Sequence, residues 1–402
     1  MKSTATTSAS PSSSSISRWM TVQLAFACGL IVANLYYAQP LAGPIALDLG
    51  LSPGATGLIV TLTQIGYGLG LILLVPLGDL LETRRLVCTL LALAALASLG
   101  LALSSHPLPY FIGTLSLGLV SVAAQVLVPF AAHLAPPEQR GEVVGNVMSG
   151  LMLGIMLARP VASFVAQFSS WHVMFFASAV AMAALALMLR INLPQRRPEA
   201  VIGYGALIAS LAGLMRNTPV LQRRALYHAA MFGAFSLFWT TTPLLLARVY
   251  GLSQGGIALF ALAGVAGAIA SPIAGRLADR GHSRGATAFA MLLAAASFLI
   301  THIAAPGSTT GLGLLVFAGI ALDFGVTTNL VVGQRAIFAL GPEVRSRLNG
   351  LYMATFFAGG AMGSAAGAWA YAQGGWAWTS MLGVALPLAA FAYFMTEPTK
   401  NA

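Results

Sequence analysis

Pro272-Ile-Ala-Gly-Arg-Leu-Ala-Asp-Arg-Gly-His-Ser-Arg-Gly285 is a dense charged turn set between two long apolar runs. About two hundred residues earlier the chain makes a similar turn, Pro76-Leu-Gly-Asp-Leu-Leu-Glu-Thr-Arg-Arg85. Asp79 and Asp279 match at an offset of 200, and so do Arg84 and Arg284. The apolar runs on either side are long enough to cross a bilayer, which takes about 20 residues of helix. A charged turn repeated half a chain apart points to two copies of one membrane unit.

The repeat extends outward from these turns. Gly50-Leu-Ser52 returns as Gly251-Leu-Ser253. Pro137-Glu-Gln-Arg140 returns as Pro342-Glu-Val-Arg345, with Gly145 and Gly350, and Trp171 and Trp376, at the same offset of 205. Glycines recur at small-x-x-x-small spacing in Gly66/Gly70, Gly150/Gly154 and Gly359/Gly363/Gly367, a pattern that lets helices approach closely.

Composition agrees with a membrane protein. Of 402 residues, 58% are hydrophobic and only 7% charged, and the mean hydropathy is +0.84. A soluble domain carries roughly a quarter charged residues. The net charge of +10 is no sign of nucleic acid here, because the basic residues sit in short loops beside apolar spans, where they set orientation. Cys28 and Cys88 fall in different spans and offer neither a disulfide framework nor metal-ligand spacing.

Twelve spans are expected, at 19–45, 54–77, 86–104, 109–134, 142–167, 172–191, 225–247, 255–275, 286–304, 311–339, 348–372 and 376–396. Period-two alternation is absent, so the spans are helical. The first continues too far to be a signal-peptide core and is read as retained. With the N-terminus inside, eighteen of the twenty Lys and Arg fall inside, Arg248 falls outside and Arg159 lies within a span. The positive-inside rule then places both termini in the cytoplasm and the chain in the inner cell membrane as a multi-pass protein. The expected organisation is a disordered tail over 1–18, a six-helix bundle over 19–191, a cytoplasmic linker over 192–224, a second six-helix bundle over 225–396 and a tail over 397–402. Within the linker, Gly203 to Met215 is apolar but short, and reads as a helix lying along the cytoplasmic surface. Six helices per copy give both copies one orientation, related by an axis along the membrane normal. Such repeats occur in transporters that bind substrate near the midplane.

These residues resemble the major facilitator superfamily over nearly the whole chain. Its loop signature, Gly-x-x-x-Asp-Arg-x-Gly-Arg-Arg/Lys, is matched by Gly275, Asp279, Arg280 and Arg284, and in the first copy by Asp79, Arg84 and Arg85. The first copy has Val75 for Gly, Leu80 for Arg and Thr83 in the basic run. Helix five, Gly154-Ile-Met-Leu-Ala-Arg-Pro-Val-Ala-Ser163, resembles an eroded form of the antiporter signature, so the chain looks closest to the twelve-helix drug:proton antiporter-like group. The resemblance implies an all-helical fold of two pseudo-symmetric six-helix bundles. It also implies that the charged turns, Asp79, Arg84, Arg85, Gly275, Asp279, Arg280 and Arg284, hold the cytoplasmic side shut in one state. Plain positive-inside anchoring is the alternative.

Two ionisable residues lie inside spans, where they are costly and functional or paired. Asp323 is near the midplane of helix ten, where burial disfavours an ionised carboxylate and suits a proton carrier or substrate contact; the alternative is a structural hydrogen bond. Arg159 stays charged, so it either locks helix five to its neighbours or binds an anionic substrate group. Asp323 is the obvious partner for it, although the two sit in opposite halves with Arg159 nearer the outer leaflet. Asn34, Tyr36, Tyr37, Gln39, Gln64, Tyr67, Gln125, Phe235, Trp239 and Asn329 are candidate cavity-lining residues, each with interhelical bonding as its alternative. His228 is expected near the cytoplasmic start of helix seven. A cavity of amides and aromatics suits an amphipathic or neutral organic molecule.

The expected function is secondary transport by alternating access, with a small-molecule drug or metabolite exported in exchange for protons. Uptake by proton symport or facilitated diffusion on the same fold stays open. The six His and ten acids are scattered, without a His-x-x-x-His pair, nucleophile elbow or phosphate loop, which argues against an enzyme or an ATP-driven pump. No cofactor and no metal are expected, and the only surroundings implied are substrate, protons and lipid around a monomer.

Overall fold

In a computed structural model the described residues are 17–136, 139–196, 203–264, 270, 273–274, 276, 280–341 and 344–397. The tail over 1–16, part of the eighth span, Gly275 and Asp279 therefore lie outside the described residues. Those that are described are helices and their connections. The first half contains α1 (Arg18–Ala33), α2 (Ala38–Asp48), α3 (Leu58–Leu73), α4 (Thr83–Ala102), α5 (Pro107–Val120), α6 (Ala123–Leu134), α7 (Arg140–Phe168) and α8 (Trp171–Asn192). Next come α9 (Tyr204–Asn217), α10 (Pro219–Arg248), α11 (Gln254–Ala261), α12 (Ser283–Ile300), α13 (Thr309–Phe338) and α14 (Arg345–Met395).

Ten helices, some built from two consecutive segments, are long and apolar enough to cross a membrane among the described residues. The last, α14, holds two of the expected spans. Its helical geometry fails at Gly374 and Gly375, where Gly375 takes a φ of 61° that a side chain disfavours. Tyr352 stacks on His228 and Phe394 packs edge-on against Tyr227, so both ends of α14 return to the same level of α10. The chain therefore reverses at the glycine pair. The eighth span is described from its start, α11, whose first turn is capped by the Ser253 hydroxyl accepting from the Gly256 amide at 3.3 Å.

The sequence repeat is a repeat of backbone geometry. Gly50 ends α2 with a φ of 62° and Gly251 follows α10 with a φ of 63°. After the first, the Leu51 amide reaches back to the Ala46 carbonyl at 2.8 Å, closing the helix end. In the first half α1 packs on α7 and α6, α4 on α8, and α3 on α5. In the second, α10 packs on α14, and α12 on α13 and α14. The halves meet through α3 with α14, α7 with α11, and α2 with α10.

Close approach at these crossings depends on the small-residue spacing. A Cβ on Gly154 would collide with the Gly29 backbone, and one on Gly363 with the carbonyl oxygen of Gly233. Gly313, by contrast, faces open space. Gly363→Val is expected to cost about 1–3 kcal/mol or more through overpacking. Gly313→Ala should gain about 0.5–1 kcal/mol from helix propensity. Thermal unfolding of the purified variants in detergent checks the contrast, and equal stabilities would contradict it.

We call the face that carries Arg84, Arg190, Arg224 and Arg284 the basic face. There α9 touches both halves, with the Tyr204 hydroxyl donating to the Leu73 carbonyl at 2.9 Å and Arg347 donating to Ser210 at 3.1 Å. Its buried Leu207 and Leu211 face protein, and Leu211 joins a cluster with Ile337 and Tyr352. The helix expected to lie along the membrane surface thus forms a strap across the two halves.

Candidate functional site

The first span is not continuous. Pro40 has no N–H for the Tyr36 carbonyl, and its ring would crowd that carbonyl in a regular helix. The chain accordingly tightens over Asn34–Tyr37, with amides bonding three residues back: Leu35 to Val32 at 3.1 Å and Tyr36 to Ala33 at 3.0 Å. This break delivers Tyr36 and Gln39, both buried, to the interior.

Arg159 on α7 meets them there. Its Nε donates to Gln39 Oε1 at 2.7 Å. The guanidinium carbon lies 4.9 Å from the ring centre of Tyr36, 5.0 Å from Phe235 and 4.6 Å from Trp239. Three aromatic faces offset part of the cost of burying this charge. At the edge of the same indole, Trp239 Nε1 donates to Asp323 Oδ1 at 2.9 Å. Trp239 thus bridges the two charged residues, its ring against one and its N–H on the other.

The direct Arg159–Asp323 pairing anticipated from the sequence is replaced by this mediated one. Ion pairs within 4 Å among the described residues join Glu82 to Arg84 and Arg85, Asp48 to His172, and Glu397 to Arg224. Arg159 lies nine residues from the end of α7 at Phe168 and Asp323 fourteen from the start of α13 at Thr309. At 1.5 Å per residue, those are about 14 Å and about 21 Å of depth from the opposite face. The long Arg side chain and the intervening indole take up the difference.

The other candidates sort by contact. Tyr37 is buried and lines the main cavity. Gln64 donates to Ser236 at 2.7 Å, and Tyr67 packs on Phe357 at 4.5 Å between ring centres, so both hold the halves together. Gln125 donates to the Tyr67 hydroxyl at 3.1 Å. Asn34 turns away from the centre to bond Ser178 and Met182 on α8, and Asn329 pairs with His228 at 3.1 Å. His228, expected near the cytoplasmic start of helix seven, is fully buried between Tyr352 and Phe356.

A cavity of about 880 Å³ runs between α1 and α7 from Arg18, Gln139 and Glu142 on the basic face to Tyr37 and Ala158 beside the centre. A smaller one, about 170 Å³, lies near Asp79, Gln125, Arg196 and Leu351.

In the charged turns, Arg84 and Arg284 each bond within their own half. Glu82, which sequence reasoning passed over, pairs with Arg85 at 2.9 Å and Arg84 at 3.6 Å. Arg84 also donates to the carbonyls of Arg190 and Leu193 at the end of α8. Its repeat partner Arg284 donates to the Glu397 carbonyl just beyond α14. Each arginine thereby caps the C-terminal end of the last helix in its half. Asp79 and Arg280 are exposed.

Gly264 was also missed. A Cβ there would lie 2.9 Å from Asp323 Oδ2 and 3.1 Å from Trp239. A lone glycine in an apolar run gives no hint of such a neighbour. On the face opposite the basic one, Trp171 Nε1 donates to Asp48 at 3.1 Å, with His172 3.6 Å from the same carboxylate. No group of three metal-ligating side chains occurs among the described residues.

A profile described as Major Facilitator Superfamily matches residues 24–337 and 259–402. The uncharacterized transporter YgaY of Escherichia coli is 41% identical over 344 residues, covering 85% of this chain and 86% of its own. Probable transporter SCO4007 of Streptomyces coelicolor is 31% identical over 346 residues, covering 85% and 79%. Among solved structures, a bacterial homolog to the human lysosomal transporter Spinster, inward-facing and unoccupied, aligns with a TM-score of 0.73 at 14% identity. It covers 96% of this chain and 97% of that one.

Proposed function

We infer that this chain, which belongs to the major facilitator superfamily, is a proton-coupled transporter that moves a small organic molecule by alternating access. The observation that carries this reading is the Arg159–Trp239–Asp323 chain. It is buried, it is assembled from helices of both halves, and a cavity from one face ends at Tyr37 and Ala158, the chain neighbours of Tyr36 and Arg159. Membership makes the protein a membrane transporter rather than an enzyme. Proton coupling, direction and substrate are our proposal.

Asp323 is assigned the proton, because it is a carboxylate at the junction of the halves and among the described residues is held by a single indole donor. The basic face is assigned to the cytoplasm by the positive-inside rule, with both termini there. The two six-helix units, joined by the segment around α9, are taken to rock as bodies around the centre. The antiporter-like helix five favours export by proton exchange. The second reading, uptake by proton symport, is favoured by the unsatisfied donors of Arg159 described below.

A growth screen of a deletion strain and an overexpressing strain against toxic compounds and metabolites tests the reading. The expected result is a compound whose toxicity or use depends on the gene and whose movement in vesicles follows an imposed pH gradient. Movement indifferent to that gradient would contradict proton coupling, and the sign of the response assigns direction.

The charged turns keep their proposed gating role. Asp79→Ala and Asp279→Ala are expected to impair transport of that compound severalfold while the protein still inserts in the membrane. Wild-type transport by both variants, with normal membrane levels on immunoblots, would reduce the turns to anchors.

A further inference from the structure

We propose that Arg159 and Gln39 form an anion subsite, and that the transported molecule is a small organic anion with an apolar body, carried together with a proton on Asp323. This rests on the reading of the chain as a proton-coupled transporter. It adds the substrate's charge and, with it, the sign of coupling.

The argument starts from donors without acceptors. Arg159 is 3% exposed and Gln39 fully buried. Their one mutual bond uses Arg159 Nε and Gln39 Oε1. Arg159 Nη2 and Gln39 Nε2 are then buried with no hydrogen-bond acceptor among the described residues. A guanidinium stays ionised, so these spare donors, in one bonded pair of side chains, are a charged and unsatisfied surface. Leaving such donors empty is costly. Asp323 does not fill them, being committed to Trp239 and more than 4 Å from the guanidinium. Their complement is an acceptor-only group with two or more oxygens on one atom, a carboxylate or sulfonate. A cation would be repelled, and a purely apolar molecule would leave both donors empty.

The surroundings fit the remainder of such a molecule. Tyr36, Phe235 and Trp239 supply aromatic faces at the centre. The cavity that ends at Tyr37 and Ala158, each next in the chain to a residue of the centre, is lined by Val22, Phe26, Leu153 and Leu157.

Charge then dictates coupling. The empty site holds one cation and one carboxylate and is neutral. An anion added to an ionised Asp323 would leave one buried negative charge uncompensated, which is strongly unfavourable. A proton on Asp323 restores neutrality. Anion and proton therefore enter and leave together, as cotransport. Among the described residues no other titratable group is placed to take that proton. Arg159 on α7 and the Tyr36 hydroxyl at the α1–α2 break are within electrostatic reach of Asp323. Trp239 on α10 and Gly264 beyond α11 touch it. From α12, Ala290 and Ala294 face α13 at Gly325, two residues from Asp323. His228 bonds α13 at Asn329, and Tyr352 meets it at Gly333 and Ile337, all farther along the helix.

The test uses the full-length protein in detergent and three probes of one shape: benzenesulfonate, benzenesulfonamide and benzyltrimethylammonium. Titration calorimetry in two buffers of different ionisation heat reads both affinity and protons exchanged. Benzenesulfonate, ionised at every pH used, is expected to bind with up to one proton taken up, and the other two are not. Arg159→Gln should weaken that binding about tenfold or more. Asp323→Asn should keep it while abolishing proton uptake. Should Arg159→Gln fail to fold, Gln39→Glu provides a second variant. Its built-in carboxylate is expected to occupy Arg159, raise the melting temperature and exclude benzenesulfonate. Absence of benzenesulfonate binding, or binding indifferent to both subsite substitutions, overturns the subsite. Binding of benzyltrimethylammonium with proton release overturns the anion assignment while leaving proton-coupled transport intact. Anion binding through Arg159 without proton uptake overturns the coupling instead.

Discussion

Asp323→Asn abolishes gradient-driven accumulation in proteoliposomes and leaves downhill flux in place: this is the expected result with the largest effect. A pH unit is worth about 1.4 kcal/mol per proton, so a one-proton coupled wild type should concentrate substrate about tenfold for each unit imposed. Asparagine keeps the size of the side chain and can still accept from Trp239 Nε1, which donates to Asp323 in the native site. What it cannot do is alternate between charged and neutral forms. The variant should therefore bring substrate only to equal concentrations on both sides, whatever the pH difference. The measurement is accumulation of the compound found by the growth screen at several imposed gradients. Unchanged pH dependence of transport would remove Asp323 from the coupling step.

The second large effect is expected at Trp239. Its ring lies 4.6 Å from the Arg159 guanidinium carbon while its N–H holds Asp323. Phenylalanine keeps an aromatic face but loses the donor, and a hydrogen bond to a charged group contributes about 1.5–3 kcal/mol. Trp239→Phe is thus expected to lower kcat/KM roughly tenfold to a hundredfold, at 1.4 kcal/mol per factor of ten. Trp239→Leu should fall further, because the face against Arg159 goes as well and contributes about 0.5–2 kcal/mol. Trp369, 51% exposed, serves as the control, and Trp369→Phe should transport at the wild-type rate. Native rates from Trp239→Phe would show that the indole fills space and does not link the two charges.

Much of the architecture was written in the apolar lengths and in the duplication. The recurrent Gly-Leu-Ser takes the same left-handed glycine conformation at Gly50 and Gly251, so the repeat is carried by backbone geometry. Arg159 and Asp323 stood out because charge inside a span is costly. Less legible was which polar residues would meet them. Asn34, Tyr36 and Gln39 stand within six residues, yet Asn34 bonds α8 whereas Gln39 bonds Arg159. The kink ahead of Pro40 sets that division, and its rotation cannot be read from spacing alone. Gly264 and Glu82 were invisible for a related reason. Their importance lies in what they touch across the fold, an aspartate in one case and two arginines in the other.

The account rests on the two halves parting and closing around the centre. On the face opposite the basic one they meet where a Cβ on Gly43 of α2 would lie 3.4 Å from Leu244 of α10. Cysteines at these two positions, in a background with Cys28→Ala and Cys88→Ala, can be joined by a short bifunctional thiol reagent or by oxidation. The account predicts that joining them arrests transport of the screened compound and that reducing the oxidised link restores it. Full transport by the fully linked protein would contradict it.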